Sequence, residues 1–495
     1  MICVCIGRGR HKQMIAEHAH LVEQGAKLVE LRLDYIAGDV NLKRILENRP
    51  GPVIISCRRQ EDGGKWSRTE AERQVLLRSA IASGVEYVDL EEDIADDVPR
   101  YGNTKRIVSL HDFHKTPADL AAVHARLAAK SADIVKIATM ANNPSDNVRM
   151  LNLIASSEVP TVGMCMGDMG MPTRILAGCF GAPFTYATFH HERALAPGQL
   201  SYKQMTEIYH YESINEQTEV FGVIADPIGH SLSPVIHNAA FVDGGMNRVY
   251  VPFRVPREHL HQFIEDCSRM RIKGLSVTIP HKEAVLKQCT KVDRAVAGIG
   301  AANTLLFQDG QIIGHNTDHA AAMDSLMKAM KLPASETPFV GKTAMVLGAG
   351  GAAKAIAFGL THRGANVIVA ARSPEKAKFF ADHFKCRIIE WENRHSVNAD
   401  ILVNCTPLGM HPNVDDTPYD RHHLRPSMVV FDTVYNPEQT LLLKQAREKH
   451  CLTVTGVEMF VRQAAIQFHY FTGEAAPAEL MRETLKRTIG AIRYA

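Results

Sequence analysis

Lys136 is the residue of this chain best placed for covalent chemistry. It lies in the middle of an apolar run, Ile134-Val135-Lys136-Ile137-Ala138. A lysine is almost never fully buried without a reason, because its ammonium gives up hydration. Burial alone drives such a group toward the neutral amine, and a neutral amine adds to ketones to form a Schiff base. Upstream, His111 closes another apolar run, Ile107-Val108-Ser109-Leu110. A nucleophilic amine and a proton carrier on neighbouring strands point to imine chemistry. A lysine on a strand edge, reaching to solvent, fits the same segment, which by itself leaves both readings open.

A second constellation lies in the other half of the chain. In Gly274-Leu275-Ser276-Val277-Thr278-Ile279-Pro280-His281-Lys282, the proline ends a strand and presents Lys282 just beyond it. Asn316-Thr317-Asp318 opens a helix. An Asp–Lys pair beside a transferred hydride can pass a proton to or from a hydroxyl. Ser231-Leu232-Ser233-Pro234 offers paired hydroxyls in a turn, suited to a small carboxylate. Each segment alone is also an ordinary turn or cap; together they favour a site.

The elements that must hold these residues read as α/β throughout. Apolar runs at Ile2–Ile6, Leu28–Leu33, Val53–Cys57, Tyr87–Leu90, Ile107–Leu110, Ile134–Ala138, Thr161–Met166 and Phe184–Phe189 recur at strand-plus-helix spacing, with helix-compatible segments such as Thr69–Ser83 and Pro117–Lys130 between them. Such a series predicts a (β/α)8 barrel over residues 1–212, whose chemistry sits at the C-terminal ends of its strands. Glu30, Arg32, Arg58, Asp89, Glu91, His111 and Lys136 all fall late in or just after a run. Layers of barrel salt bridges are the structural alternative. A polar stretch follows, with the linker placed at 213–219.

The second half predicts a two-lobed α/β dehydrogenase. Val340–Leu347 leads at once into Gly348-Ala349-Gly350-Gly351-Ala352-Ala353, then a helix over Lys354–Arg363 and a strand over Ala365–Ala371. Strand, glycine turn, helix and strand form a mononucleotide-binding unit, whose glycines admit a pyrophosphate to the helix N-terminus. An NAD site expects an acid at the end of the second strand, but Arg372, Ser373 and Lys376 stand there. Positive charge and a hydroxyl fit a 2′-phosphate, so NADP is the expected cofactor, with a solvated basic loop as the alternative. The Rossmann-type lobe is placed at 336–456, and a substrate lobe at 220–335 with the C-terminal helices 457–495.

The chain has 495 residues and a net charge of +2. That balance gives no support for nucleic acid or an anionic membrane as a partner, and no apolar stretch approaches the roughly 20 residues that span a bilayer. Ten cysteines without a C-x-x-C pair suggest neither a disulfide framework nor a metal site. The start, Met1-Ile2-Cys3-Val4-Cys5-Ile6, lacks the layout of a signal or transit peptide. A reduced, cytoplasmic enzyme of small-molecule substrates is therefore expected.

Several motifs in register carry a resemblance. Residues 1–210 resemble type I 3-dehydroquinate dehydratases at Glu30-Leu31-Arg32-Leu33-Asp34, Arg58 with Asp62-Gly63-Gly64, His111-Asp112-Phe113, Lys136, and Ala196-Pro197-Gly198-Gln199. Residues 218–495 resemble shikimate dehydrogenases at Ser231 to Pro234, Val277 to Lys282, Ala302-Asn303-Thr304, Asn316 to Asp318, the glycine loop, and Gly456-Val457-Glu458-Met459 leading to Gln463-Ala464. The order is that of the fused enzyme of plants and some bacteria. The resemblance implies an imine between Lys136 and 3-dehydroquinate, proton removal by His111, and a carboxylate, Asp62, that orients and polarises His111. It implies that Glu30, Arg32, Arg58 and Gln199 hold the substrate and that Arg174 holds its carboxylate. In the second half it implies reduction of 3-dehydroshikimate by NADPH, with Lys282 and Asp318 handling the proton. Ser231, Ser233, Thr278, Asn303, Tyr435 and Gln463 would surround that substrate. Gly348, Ala349, Gly350, Gly351, Ala352, Arg372, Ser373, Lys376, Thr406 and Gly456 would bind the cofactor.

Three positions depart from the common pattern. Asp62 stands where relatives usually carry Glu, and Glu61 is adjacent. Leu195 stands where Ser is common, which removes a hydroxyl contact, and Ala371 replaces a frequent Asn. A Schiff-base aldolase also uses a strand lysine; His111-Asp112-Phe113 and Arg174 favour dehydration. A barrel retired to a tether would not need Lys136 and His111. The paired serines favour shikimate over quinate.

Overall fold

A computed structural model describes residues 1–229, 231–333 and 335–492. The chain divides into two compact units, one built mainly on Met1–Val220 and the other on the chain from 273 onward.

The first unit is a ring of parallel strands: β1 (Ile2–Ile6), β2 (Leu28–Arg32), β3 (Val53–Ser56), β4 (Tyr87–Glu91), β5 (Lys105–Asp112), β6 (Ile134–Met140), β7 (Thr161–Met166) and β8 (Thr185–Thr188). Their order is β7-β6-β5-β4-β3-β2-β1-β8. No ladder joins β7 to β8 among the described residues, so the barrel is nearly closed. The strands are Val- and Ile-rich on both faces because helices cover the outside and side chains fill the inside. The inner filling includes Cys3, Leu28, Ile54, Ile107, Ile134 and Phe184.

Helix positions follow local chemistry. Thr69 and Glu72 form a reciprocal capping box at the start of Glu70–Ala82. From that helix the fully buried Arg73 donates to Glu91 at 2.6 Å and to the Cys57 carbonyl at 2.7 Å, tying the helix to the ends of β3 and β4. Asp119 caps Leu120–Ala129. Residues 213–219 form a turn closed by a bond from the Asn215 amide to the Thr218 hydroxyl at 2.9 Å.

Two further sheets follow. The first, ordered β10-β9-β11-β13-β14-β12, is mixed. It comprises β9 (Glu219–Ala225), β10 (Arg248–Arg254), β11 (Ile272–Val277), β12 (Lys291–Val292), β13 (Thr304–Gln308) and β14 (Gln311–His315), with β13 antiparallel to both β11 and β14. The second contains β15 (Thr343–Leu347), β16 (Asn366–Ala371), β17 (Arg387–Glu390), β18 (Ile401–Asn404), β19 (Val429–Asp432) and β20 (Leu452–Val454). It is wholly parallel and ordered β17-β16-β15-β18-β19-β20. That is the doubly wound dinucleotide order, with its switch point between β15 and β18. Alternation along its strands serves two cores. Val346, Val367, Val403 and Phe431 face helices bearing Leu326, Ile356 and Leu360, while Met345, Leu347, Leu402 and Val430 face Leu442 and Leu443.

Candidate active sites

The first site is built where β5 and β6 run side by side. Ser109 pairs with Lys136 and His111 with Ala138. Residues two apart on a strand share a face, so His111 lies one step along the face that carries Ser109, beside the amine. Lys136 and His111 line one cavity with Glu30, Arg32, Arg58, Arg174, Tyr186 and Gln199.

Inside it, Lys136 is only 3% exposed. Its Nζ donates to Asp89 Oδ2 at 2.7 Å and to Glu30 Oε1 at 3.4 Å. The same nitrogen lies over the face of the Tyr186 ring, 4.3 Å from its centre. Arg58 donates to that Asp89 oxygen at 3.1 Å. Burial works against both carboxylates, but Lys136 and Arg58 outweigh it and hold Glu30 and Asp89 below the usual carboxylate range.

His111 is the opposite case. Neither ring nitrogen has a hydrogen-bond partner among the described residues. Burial, then the charges of Arg58 and Lys136, hold it well below the ordinary histidine range, so the ring is neutral at physiological pH. Arg174 is 1% exposed and has no carboxylate partner among the described residues. Among the described residues its Nη atoms reach Met164 Sδ at 3.3 Å and the Pro197 carbonyl at 3.4 Å, and its Nε has no hydrogen-bond partner. Burial pushes it down to about 10. A guanidinium so enclosed costs much unless an anion meets it, and a ligand carboxylate would be that anion. Arg32 differs: Asp34 grips it at 2.9 and 2.7 Å. Gln199 Oε1 accepts from the amides of Leu195 at 2.7 Å and Ala196 at 3.2 Å, fixing the loop over the cavity.

The second site centres on a trio. Lys282 Nζ donates to Asp318 Oδ2 at 2.6 Å, and Asn303 Nδ2 donates to Asp318 Oδ1 at 2.9 Å. Asn303 Oδ1 accepts from the Thr317 amide at 2.8 Å, which fixes the helix start beneath Asp318. Behind it, Gln467 donates to the Asn303 carbonyl at 3.1 Å and accepts from Ser276 at 2.8 Å. Ser231, Ser233, Thr278, Tyr435 and Gln463 make no side-chain hydrogen bond to this trio among the described residues. Ser233 opens the helix Ser233–Asp243, and Gln463 lies on the helix Gly456–Thr472 with its amide on the Phe460 carbonyl at 3.0 Å. Tyr435 packs on Phe460, 4.5 Å between ring centres, and burial raises its phenol to about 12.

The glycine loop adjoins that trio. A Cβ on Gly351 would stand 3.1 Å from Lys282 Cδ, so the lysine stem lies against the loop. Gly348 has φ 109°, a left-handed conformation that favours glycine, and a Cβ there would meet the Cys405 carbonyl oxygen at 3.1 Å. Gly350 has nothing within 4 Å of a notional Cβ, leaving ligand space above the turn. Ala349 precedes it, Ala352 lies in the first turn of the helix Gly351–His362, and Ala353 is buried against the sheet. Arg372 follows β16 in an exposed position with no acidic partner among the described residues. Ser373 caps Pro374–Phe384 by accepting from the Lys376 amide. These groups fit a 2′-phosphate. Thr406 donates through its amide at 2.9 Å and its hydroxyl at 2.7 Å to Asn404, which donates to Asp432 at 2.9 Å. Burial raises Asp432 to about 6 despite its donors. Gly456 begins its helix so close to the chain that a Cβ would fall 2.2 Å from the Val434 carbonyl oxygen.

The chain is 38% identical over 511 residues to the bifunctional 3-dehydroquinate dehydratase/shikimate dehydrogenase, chloroplastic, of Arabidopsis thaliana, an alignment covering 98% of this chain and 84% of that relative. It belongs to that bifunctional family. Residues 2–216 match type I 3-dehydroquinase, 223–305 the shikimate dehydrogenase substrate binding domain, and 456–486 the shikimate 5′-dehydrogenase C-terminal domain. Residues 343–433 match a family described as NADP oxidoreductase, coenzyme F420-dependent. The shikimate dehydrogenase (NADP(+)) of Methanothermobacter thermautotrophicus is 39% identical over 286 residues, 56% of this chain and 99% of that relative. A shikimate dehydrogenase solved in complex with NADP+ superposes with a TM-score of 0.51 at 37% identity, over 56% of this chain and 97% of that one. No helix among the described residues is long and apolar enough to cross a membrane.

Two expectations change in this member of the bifunctional family. Asp62 does not reach His111; it accepts from Arg59 at 2.7 Å, and Arg59 is drawn outward to Asp93 as well. Lys136 is not a lone amine desolvated by the barrel, because two carboxylates meet it. Sequence reasoning did not assign Asp89, Tyr186 or Gln467 to a site. Asp89 was visible as an acid late in β4. Tyr186 reads as an ordinary aromatic in a strand, and Gln467 as a polar residue of a long helix.

Proposed function

We propose that this chain carries out consecutive shikimate-pathway steps that serve aromatic amino acid biosynthesis: dehydration of 3-dehydroquinate in the barrel 1–212, then NADPH-dependent reduction of 3-dehydroshikimate by the lobes 220–335 with 457–495 and 336–456. The observation that carries the first step is the meeting, in one cavity, of a buried amine, a neutral imidazole with no hydrogen-bond partner among the described residues, and a buried guanidinium with no carboxylate partner among them.

Arg174 takes the substrate carboxylate, and Glu30, Arg32, Arg58 and Gln199 hold its hydroxyls. Lys136 gives up a proton and adds to the ketone carbon; water leaves and an imine forms. The cationic imine withdraws electrons from the adjacent carbon, so His111, whose neutral ring makes no hydrogen bond to the described residues, removes a proton there. The neighbouring hydroxyl then leaves as water with the proton that His111 returns. Hydrolysis frees 3-dehydroshikimate and the lysine.

In the second site, NADPH bound on the glycine loop supplies a hydride. Gly348, Ala349, Gly350, Gly351 and Ala352 leave room for its pyrophosphate, and Arg372, Ser373 and Lys376 take its 2′-phosphate. Thr406 and Gly456 would also hold the dinucleotide. Lys282, held by Asp318, gives the proton to the new hydroxyl, while Asn303 holds Asp318 in place. Ser231, Ser233, Thr278, Tyr435 and Gln463 bind the shikimate carboxylate and hydroxyls.

Free cysteines throughout the described residues support a reducing compartment, the cytoplasm by this reading. The test is a coupled assay with 3-dehydroquinate and NADPH. Lys136→Ala should halt the sequence before the enone product appears and leave shikimate oxidation intact; Lys282→Ala should let the enone accumulate. Loss of both activities in either variant contradicts the assignment of separate sites.

A further inference from the structure

We infer that the ring face of Tyr186 is a further catalytic element of the barrel site, carrying the positive charge of the Lys136 imine. This rests on the dehydratase reading and names a role for a residue outside the imine, base and carboxylate groups.

A lysine ammonium has three N–H bonds. Two point to Asp89 at 2.7 Å and Glu30 at 3.4 Å, and the nitrogen lies over the Tyr186 ring at 4.3 Å from its centre. When the amine condenses with a ketone, the carbonyl oxygen leaves as water and the protonated imine keeps a single N–H. That hydrogen can serve one acceptor, so at least one carboxylate loses its hydrogen bond to the nitrogen. The ring loses nothing, because a cation is attracted to the π-face by its charge and not through a hydrogen bond.

The surroundings strengthen that contact. Tyr186 is 2% exposed, and Phe184 packs edge-on against it at 5.6 Å between ring centres. Cation–π attraction grows when both partners are out of water. Register fixes the ring in place: Tyr186 pairs with Cys3 on β1, inside the barrel. The Tyr186 hydroxyl has no hydrogen-bond partner among the described residues, so the contact with Lys136 is made by the ring and not through the hydroxyl.

The experiment traps the imine with borohydride in the presence of 3-dehydroquinate, across a pH series, in the full-length protein. Adduct on Lys136 is counted by peptide mass. Tyr186→Phe, which keeps the ring and removes the hydroxyl, sets the reference rate for the series. Phenylalanine analogues at position 186, fluorinated step by step, keep the shape of the ring while draining its face, so they fold as Tyr186→Phe does. Trapping should fall stepwise, by about ten-fold from the plain to the fully fluorinated ring. The alkaline limb of the trapping profile should move to lower pH in the same order, a shift that a purely structural role of the ring would not produce. A flat response to fluorination, or a loss in Tyr186→Phe as large as in the fluorinated ring, would overturn the inference while leaving the dehydratase reading in place. No adduct in the unaltered protein would overturn both.

Discussion

Lys136 Nζ and Asp89 Oδ2 stand 2.7 Å apart inside the barrel, and Arg58 shares that oxygen at 3.1 Å. Lys136 is therefore held in a buried charge network. Removing one partner of such a pair costs about 3–5 kcal/mol. Glu30 retains part of the compensation, so Asp89→Asn should lower stability by about 3 kcal/mol near neutral pH, read from the urea midpoint at unchanged slope. The native Asp89 carboxyl lies below its unfolded value near 3.8. Its contribution is thus complete above that value and lost as pH falls below it. The gap between the unaltered protein and Asp89→Asn should be constant from about pH 5 to 7 and narrow in more acid solution.

His111 should separate imine formation from dehydration. His111→Asn leaves Lys136 and its partners in place but removes the base, so turnover should fall by about 10²–10⁴-fold while borohydride still traps the substrate on Lys136. The native ring is held below the ordinary 6.5. Because the neutral form is the active one, kcat/KM for dehydration should show no inflection near pH 6.5 and decline only at lower pH.

The meeting of Lys136 and His111 in the barrel was legible because period-two alternation and strand ends are local properties. Lys136 and His111 had only to fall on inward faces of adjacent strands, and the β5–β6 register places them there. The partners of charged residues were not legible. Asp89 and Glu91 are two apart on β4, yet one meets Lys136 and the other Arg73. That choice depends on where the Glu70–Ala82 helix lays Arg73, a tertiary outcome. The Asp62 assignment failed for the same reason: it sits in a loop, and Arg59, three residues back, captures its carboxylate. In the second half the glycine loop, β16 and the Lys282–Asp318 pair followed from motif spacing. The buttress of Gln467 behind Asn303 crosses 164 positions of sequence, and no local pattern announces it.

The capture of Asp62 by Arg59 has its own consequence. Asp62→Asn should reduce dehydration by less than about ten-fold, far below the effect of a lost general base, and should leave the pH profile of kcat/KM unchanged. Steady-state kinetics on purified Asp62→Asn and His111→Asn variants side by side make the comparison.

Arg372 should set the preference between dinucleotides. A hydrogen bond to a charged group contributes about 1.5–3 kcal/mol, so Arg372→Asp should raise the KM for NADP by at least ten-fold and lower that for NAD, with the KM for shikimate unmoved. Initial rates with each dinucleotide at saturating shikimate give the ratio directly.

The central claim is that Lys136 bonds covalently to the substrate ketone. Borohydride reduction of the unaltered protein with 3-dehydroquinate, followed by peptide mapping, should find one reduced adduct, on the peptide containing Lys136, together with irreversible loss of dehydratase activity and full retention of shikimate oxidation. An unmodified Lys136 peptide after complete substrate turnover, or an adduct on any other lysine, would contradict the account.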